Sequence, residues 1–344
     1  MFVCIFSALS ALAQTSLVAS LCHAKDEARL FYGEDALKEA YAAAEDADVI
    51  ILSSGTFNAV DFEKAVLLRG TGMYNNDETG TGETVVRGDM RYMIPESIIG
   101  RTPRVEGIHF TGSFSVDGHG TSVSKMEMLK CLFDQQVNVA ATLAQVTNCV
   151  FLYPLVSKCT HLDGYTYMEG SNIASKVVCL NSFVRDSYIE TYTATGSIEM
   201  TNCMILEPGS AQPLKLTNSI ILCISSQSSL PGGMALENTI AVGEDEKGEA
   251  FNANYTKEIP YVQGWENVIK KLSYDPTQFM FMPAQRFELT DEAATTYLGN
   301  DGKQLGLYGG SAPFNPTPGN PQVSKFAVSA DNVNGQLSVK ITVE

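Results

Sequence analysis

The sequence predicts an all-β fold in which parallel strands stack coil upon coil, and three observations carry that expectation. The first is a short phrase that returns between Leu129 and Gly243: Leu129-Lys-Cys-Leu-Phe133, Thr147-Asn-Cys-Val-Phe151, Leu180-Asn-Ser-Phe-Val184, Thr201-Asn-Cys-Met-Ile205, Thr217-Asn-Ser-Ile-Ile221 and Glu237-Asn-Thr-Ile-Ala241. Every copy holds a small residue (Cys, Ser or Thr) followed by apolar residues, and five of the six put Asn directly before it. The second is spacing. The small residues fall at 131, 149, 182, 203, 219 and 239, in steps of 18, 33, 21, 16 and 20, against roughly 20 residues for one coil of a parallel β-helix. The third is composition. Charged residues make up only 18% of the 344, and glycine alone numbers 28, a balance that suits strands and turns better than helices.

The phrase has a direct physical reading. Parallel strands stacked about 4.8 Å apart set equivalent positions one above another, so that inward apolar residues become continuous columns. Asn at the bend tolerates a left-handed backbone. Stacked amides also hydrogen-bond to one another along an axis, which predicts a ladder of Asn148, Asn181, Asn202, Asn218 and Asn238. The long step of 33 predicts a further loose coil at Lys158–Tyr167. Uneven steps overall fit fixed strands joined by variable loops.

Taken in order, residues 1–13 read as a signal peptide: an apolar run ending in Ala11-Leu-Ala13, a cleavage site of the A-x-A type before Gln14. No other run reaches the ~18 apolar residues that span a bilayer, so no transmembrane segment is expected in the mature chain. Residues 14–60 hold an N-terminal hairpin, a cap helix and the first coil. Thr15–Cys22 and Ala28–Tyr32 are the hairpin strands. Ala36, Leu37, Ala40, Tyr41 and Ala44 form one apolar helical stripe behind Glu34 and Asp35. Asp48–Phe57 is a buried strand followed by a Gly turn.

Residues 61–250 are the coiled body, with a Gly- and Asn-rich loop at 70–82. Residues 251–312 are a C-terminal cap, in which Trp265, Val268, Ile269 and Leu272 form a stripe that would close the open end of the coil. Residues 313–344 are a linker and a terminal hairpin, Val323–Ser329 and Gln336–Val343, about an Asn334-Gly335 turn. Leu337, Val339, Ile341 and Val343 alternate with polar residues, so one face of that hairpin is apolar. It would dock on the coil or engage the sheet edge of a protein partner.

Two stretches carry a family resemblance. The helix Asp35-Ala-Leu-Lys-Glu-Ala-Tyr-Ala-Ala-Ala-Glu-Asp-Ala-Asp48 runs into Val49-Ile-Ile-Leu-Ser-Ser-Gly-Thr-Phe57. It resembles the N-terminal cap and first coil of secreted bacterial proteins of the pectin-lyase-like superfamily. Asp46-Ala-Asp48 stands where those proteins have Gly-Asp. Leu298-Gly-Asn-Asp-Gly-Lys-Gln-Leu-Gly-Leu-Tyr-Gly-Gly310 is similar to their closing turn. The resemblance implies an all-β, right-handed parallel β-helix (solenoid) with a short N-terminal cap helix, a C-terminal cap and a β-hairpin tail. It also implies export to the periplasm, cell surface or exterior.

A net charge of −16 sets the surface against phosphate backbones, so nucleic acid is not an expected partner. Eight cysteines contain no Cys-x-x-Cys pair, and three of them exchange with Ser or Thr at one phrase position. They are read as buried free thiols rather than bridges, although export would permit disulfides.

Enzymes of the resembling superfamily imply two chemistries. Asp117-Gly-His-Gly120 imitates one element of a polygalacturonase-type site, with Asp117 and His119 as catalytic candidates. The second carboxylate that a glycosidic mechanism needs is missing from its neighbourhood. Arg101-Thr-Pro-Arg104 is similar to a pectate-lyase signature, with Arg101 or Arg104 as the base and calcium as the cofactor if the chain were a lyase. Both matches are partial, which leaves no catalytic residue and no cofactor assigned. His109 is expected to be a structural strand residue.

The favoured surface is aromatic. Tyr188, Glu190 and Tyr192 share one face of a strand, and Tyr165 and Tyr167 repeat the pattern 23 residues earlier, about one coil away. Such rows would stack on and hydrogen-bond a polysaccharide or cell-surface glycan. The expected function is therefore a non-catalytic exported β-helix that binds glycan or serves as a surface scaffold. A divergent polysaccharide lyase or glycoside hydrolase is the alternative.

Overall fold

A computed structural model describes residues 17–23, 27–76, 80–93, 102–116, 123–139, 141–152, 155–158, 176–184, 187–190, 197–206, 214–223, 234–243, 260–270, 287–318, 323–331 and 336–343. The predicted signal peptide lies outside these residues.

The chain opens with β1 (Val18–Cys22), β2 (Arg29–Tyr32) and α1 (Ala36–Ala43), as the residue pattern predicts. The helix buries Ala36, Leu37 and Ala40. Its Tyr41 ring stacks on Phe62 at 4.3 Å between centroids, which ties the helix to the body behind it. The Asp46-Ala-Asp48 corner works through its carboxylates. Asp46 Oδ1 accepts the Ala65 N–H at 2.8 Å, and Asp48 Oδ2 accepts the Glu45 N–H at 2.6 Å.

From here the chain makes repeated passes. The first gives β3 (Val49–Leu52) and β4 (Gly55–Asn58). Then come β5 (Leu67–Arg69), β6 (Thr84–Arg87) and β7 (Met90–Tyr92), followed by β8 (Arg104–Glu106), β9 (His109–Phe110) and β10 (Phe114–Val116). The next pass is β11 (Val123–Leu129), β12 (Leu132–Phe133) and β13 (Val137–Val139). It is followed by β14 (Ala141–Thr147), β15 (Val150–Phe151) and β16 (Leu155–Lys158). After it come β17 (Lys176–Leu180), β18 (Phe183–Val184) and β19 (Ser187–Glu190). Three shorter passes are β20 (Ser197–Thr201) with β21 (Met204–Leu206), β22 (Leu214–Thr217) with β23 (Ile220–Cys223), and β24 (Ala235–Glu237) with β25 (Ile240–Gly243), before a final β26 (Tyr261–Gln263).

Each pass lays its first strand on sheet A (β2-β1-β3-β5-β8-β11-β14-β17-β20-β22-β24) and its second on sheet B (β4-β6-β9-β12-β15-β18-β21-β23-β25-β26). Third strands build sheet C (β7-β10-β13-β16-β19). The sheets are parallel throughout, except where the N-terminal hairpin joins sheet A antiparallel.

The inward residues of all three sheets form one core. Its aromatic column is Phe110, Phe133 and Phe151, with rings 5.1 and 5.0 Å apart and 7° and 9° from coplanar. A second core lies outside sheet B. Leu132, Val150, Phe183, Met204, Ile220 and Ile240 point away from the first core and are buried beneath the C-terminal segment. Trp265, Val268 and Ile269 belong to this outer layer. Residues 260–270 thus add β26 to sheet B and carry Trp265, Val268 and Ile269 into the layer over its outside. Leu272 lies outside the described residues. A short helix α2 (Asp291–Thr296), capped by Thr290 accepting the Ala293 N–H at 3.1 Å, leads into a strap over residues 297–318. β27 (Val323–Asp331) and β28 (Gln336–Val343) form the expected hairpin as a sheet of their own, and its turn lies outside the described residues.

One predicted coil is corrected. Lys158–Tyr167 contributes no extra pass, because β14 pairs directly with β17, β15 with β18 and β16 with β19. The step of 33 is a single pass with a long connection; Lys158 ends β16, and residues 159–167 are not described.

Candidate functional site

The bend between sheets A and B explains the recurring phrase. Asn148, Asn181, Asn202, Asn218 and Asn238 all have φ between 46 and 54°, and Lys130 adopts the same conformation at 54°. The ladder of amides is realised in one rung, Asn238 Nδ2 to Asn218 Oδ1 at 3.0 Å. Two of these Asn also hold the strap. Asn181 Nδ2 donates to the carbonyls of Leu307 and Gly309 at 2.9 and 2.8 Å, and Asn238 Nδ2 donates to Leu298 O at 2.9 Å. Lys130 Nζ reaches Thr317 O.

The more regular ladder sits one residue further on. Cys131 N–H donates to Cys149 Sγ at 3.4 Å, Cys149 N–H to Ser182 Oγ at 3.1 Å, and Cys203 N–H to Ser219 Oγ at 3.1 Å. Each small side chain in turn donates to the carbonyl two residues back, as Ser182 does to Leu180 at 2.9 Å and Cys149 to Thr147 at 3.5 Å. Among the described residues the cysteines are free, as expected, and all but half-buried Cys22 are buried. Burial pushes the Cys131 and Cys179 thiols well up and Cys203 to about 12, which keeps their protons available for these bonds.

Two clusters of ionisable side chains stand on the outward faces. On sheet A, Arg69 and Glu106 are register neighbours. Arg69 grips Glu106 Oε2 through Nε at 3.0 Å and Nη2 at 2.9 Å, and Arg104 Nη2 adds a third bond at 2.9 Å. Glu106 is only 3% exposed, so this pairing offsets the cost of burying a charge. Lys130 lies close by. Its ammonium is pushed down by burial, which outweighs the attraction of Glu106. Arg104, a candidate base on sequence grounds, is thus a donor to a buried carboxylate. Arg101, Asp117 and His119 lie outside the described residues.

On sheet B, sequence reasoning left His109 as a strand residue and passed over its partners. Its Nδ1 is 3.1 Å from Glu83 Oε2 and its Nε2 is 2.8 Å from Asp134 Oδ2. Burial lowers the imidazole's affinity for a proton, but the bonds and charges of Asp134 and Glu83 together raise it above the usual value. The ring stands between the two carboxylates, which therefore do not converge on one point in space. Only the fold brings these residues together, since Glu83 and Asp134 are 26 and 25 residues from His109 in sequence.

The predicted sugar-binding row is partly placed. Tyr188 and Glu190 lie on β19, and Tyr188 shares its register position with Val156, which continues to Asn138, Ser115 and Arg91. Glu190 is beside Lys158. The residue paired with Tyr188 on the neighbouring strand is Val156. Tyr165, Tyr167 and Tyr192 are outside the described residues. Among the described residues, no group of three or more His, Cys, Asp or Glu side chains gathers as a metal site, and no helix is long and apolar enough to cross a membrane. Compared with family models, curated proteins and solved structures, the chain matches none.

Proposed function

We propose that the chain is a right-handed parallel β-helix of the pectin-lyase-like kind, exported, that binds glycan or presents a surface scaffold without catalysing a reaction. The right-handed path follows from strand-to-parallel-strand crossovers, which take that hand in about 98% of cases. The observation that carries the glycan reading is a row of sheet C. Arg91, Ser115, Asn138, Val156 and Tyr188 occupy one register position on successive strands. Arg91 is exposed, and Ser115 and Asn138 are half-buried. Strand spacing of about 4.8 Å gives such a row a regular pitch along which hydroxyls of a sugar chain meet donors and acceptors in turn.

A polysaccharide panel, assayed with and without calcium for release of unsaturated or reducing sugar, tests the non-catalytic part. No product is expected, and a clear product overturns it. A glycan array tests the binding part. Binding is expected for the wild-type chain and is lost in a Tyr188→Ala, Tyr192→Ala double variant. Unchanged binding by the variant removes these residues from the site.

A further inference from the structure

The three groups Glu83, His109 and Asp134 belong to three successive passes. Glu83 immediately precedes β6, His109 begins β9 and Asp134 immediately follows β12. His109 is the register neighbour of Val85 on one side and Leu132 on the other. Both of its ring nitrogens face carboxylate oxygens within hydrogen-bond distance. A neutral imidazole has one N–H, so it donates to only one of them and turns a lone pair on the other; both bonds form only when the ring carries its second proton. Among the described residues, Tyr74 is the other titratable group at this place. Its hydroxyl is buried, and its proton is held tightly by burial first and then by the charges of Asp134 and Glu83. Tyr74 thus stays neutral while His109 titrates.

The cluster also sits at a junction. Thr71, Gly82 and Thr84 close the base of the excursion between β5 and β6 through Thr71 Oγ1 to Gly82 O at 2.7 Å and Thr71 N–H to Thr84 Oγ1 at 2.9 Å. The Glu83 N–H is held by Asn75 Oδ1 at 3.0 Å. Met73 from the same excursion is buried in the outer core over sheet B, and Tyr74 packs against that core. We propose that Glu83, His109 and Asp134 form a proton-operated latch: the protonated ring clamps the base of the excursion to sheet B, and loss of its proton releases Glu83 and loosens Met73 and Tyr74 from the outer core. Glu83 is the partner that leaves, since its bond to the ring is the longer, 3.1 Å against 2.8 Å for Asp134. The sign follows from linkage. His109 binds its proton more tightly in the folded chain than the ordinary histidine value of 6.5. The clamp is therefore complete below that value and is lost as pH rises through the folded value.

The first test is an NMR titration of His109 in the wild-type chain, which needs no variant to fold. A midpoint above 6.5 is expected, and one at or below 6.5 overturns the latch. The second is hydrogen exchange of the amides over 70–76, corrected for intrinsic rate, from about pH 5.5 to about pH 8.5. Opening should rise with pH by up to about tenfold for each unit by which His109 is raised, while the segment 214–223 is unaffected. In a His109→Gln variant, which does not titrate, the pH dependence should vanish. The same dependence in the variant, or none in the wild type, overturns the proposal.

Discussion

A thiol and a hydroxyl occupy the same bend position in this chain because both do the same work there. Each accepts an N–H from the previous pass and donates to a carbonyl two residues back, as Cys149 and Ser182 do. The exchange of Cys with Ser and Thr was legible in the sequence as a sign of small, unbridged residues. The hydrogen-bond relay was not, because it depends on which pass lies above which. Replacing Ser182 by Ala leaves the Cys149 N–H without its acceptor and should cost about 1–2 kcal/mol, read by urea denaturation. Ser182→Cys reproduces what positions 131, 149 and 203 already hold, and it should cost less than half as much. Equal losses in the two variants would show that volume, and not the relay, decides this position.

At the scale of elements, the strap over residues 297–318 is held by side chains from the bend between sheets A and B. The similarity of Leu298–Gly310 to a closing turn said nothing of the segment's partner. The partner is the row of left-handed Asn residues, which sequence reasoning had bonded to one another. An Asn side chain at a bend has its amide free once its backbone is satisfied, and the nearest acceptors here are strap carbonyls at Leu298, Leu307 and Gly309. Asn181→Ala removes two of these bonds and places a residue with a Cβ and no local polar group at φ 46°. A loss of about 2–3 kcal/mol is expected from the bonds and the backbone together, with faster hydrogen exchange at 305–310. Gly310→Ala tests the same contact from the other side, since an added Cβ would fall 2.0 Å from Asn202 Nδ2 at a φ of +71°.

Across the whole molecule, the two cores divide the labour of folding. The inner core is shared by three parallel sheets, and the outer core joins sheet B to residues 265–314. A chain ended after Gly243 should keep its parallel sheets but expose Leu132, Val150, Met204 and Ile220, so that it binds a hydrophobic dye and associates. A monomeric product that binds no dye would deny the outer layer its role. The sequence by itself determined the strands, the cap helix, the small-residue bend and the free thiols. These are local matters of period, backbone conformation and side-chain volume. It also held a signal that went unused: consecutive apolar pairs such as Val150-Phe151 and Ile220-Ile221 mark strands buried on both faces. Only the tertiary structure decided which pass follows which, what covers sheet B, and that Arg69, Arg104 and Glu106, or Glu83, His109 and Asp134, meet at all. Those juxtapositions rest on the register between passes, and the register depends on loop lengths that carry no periodic signal.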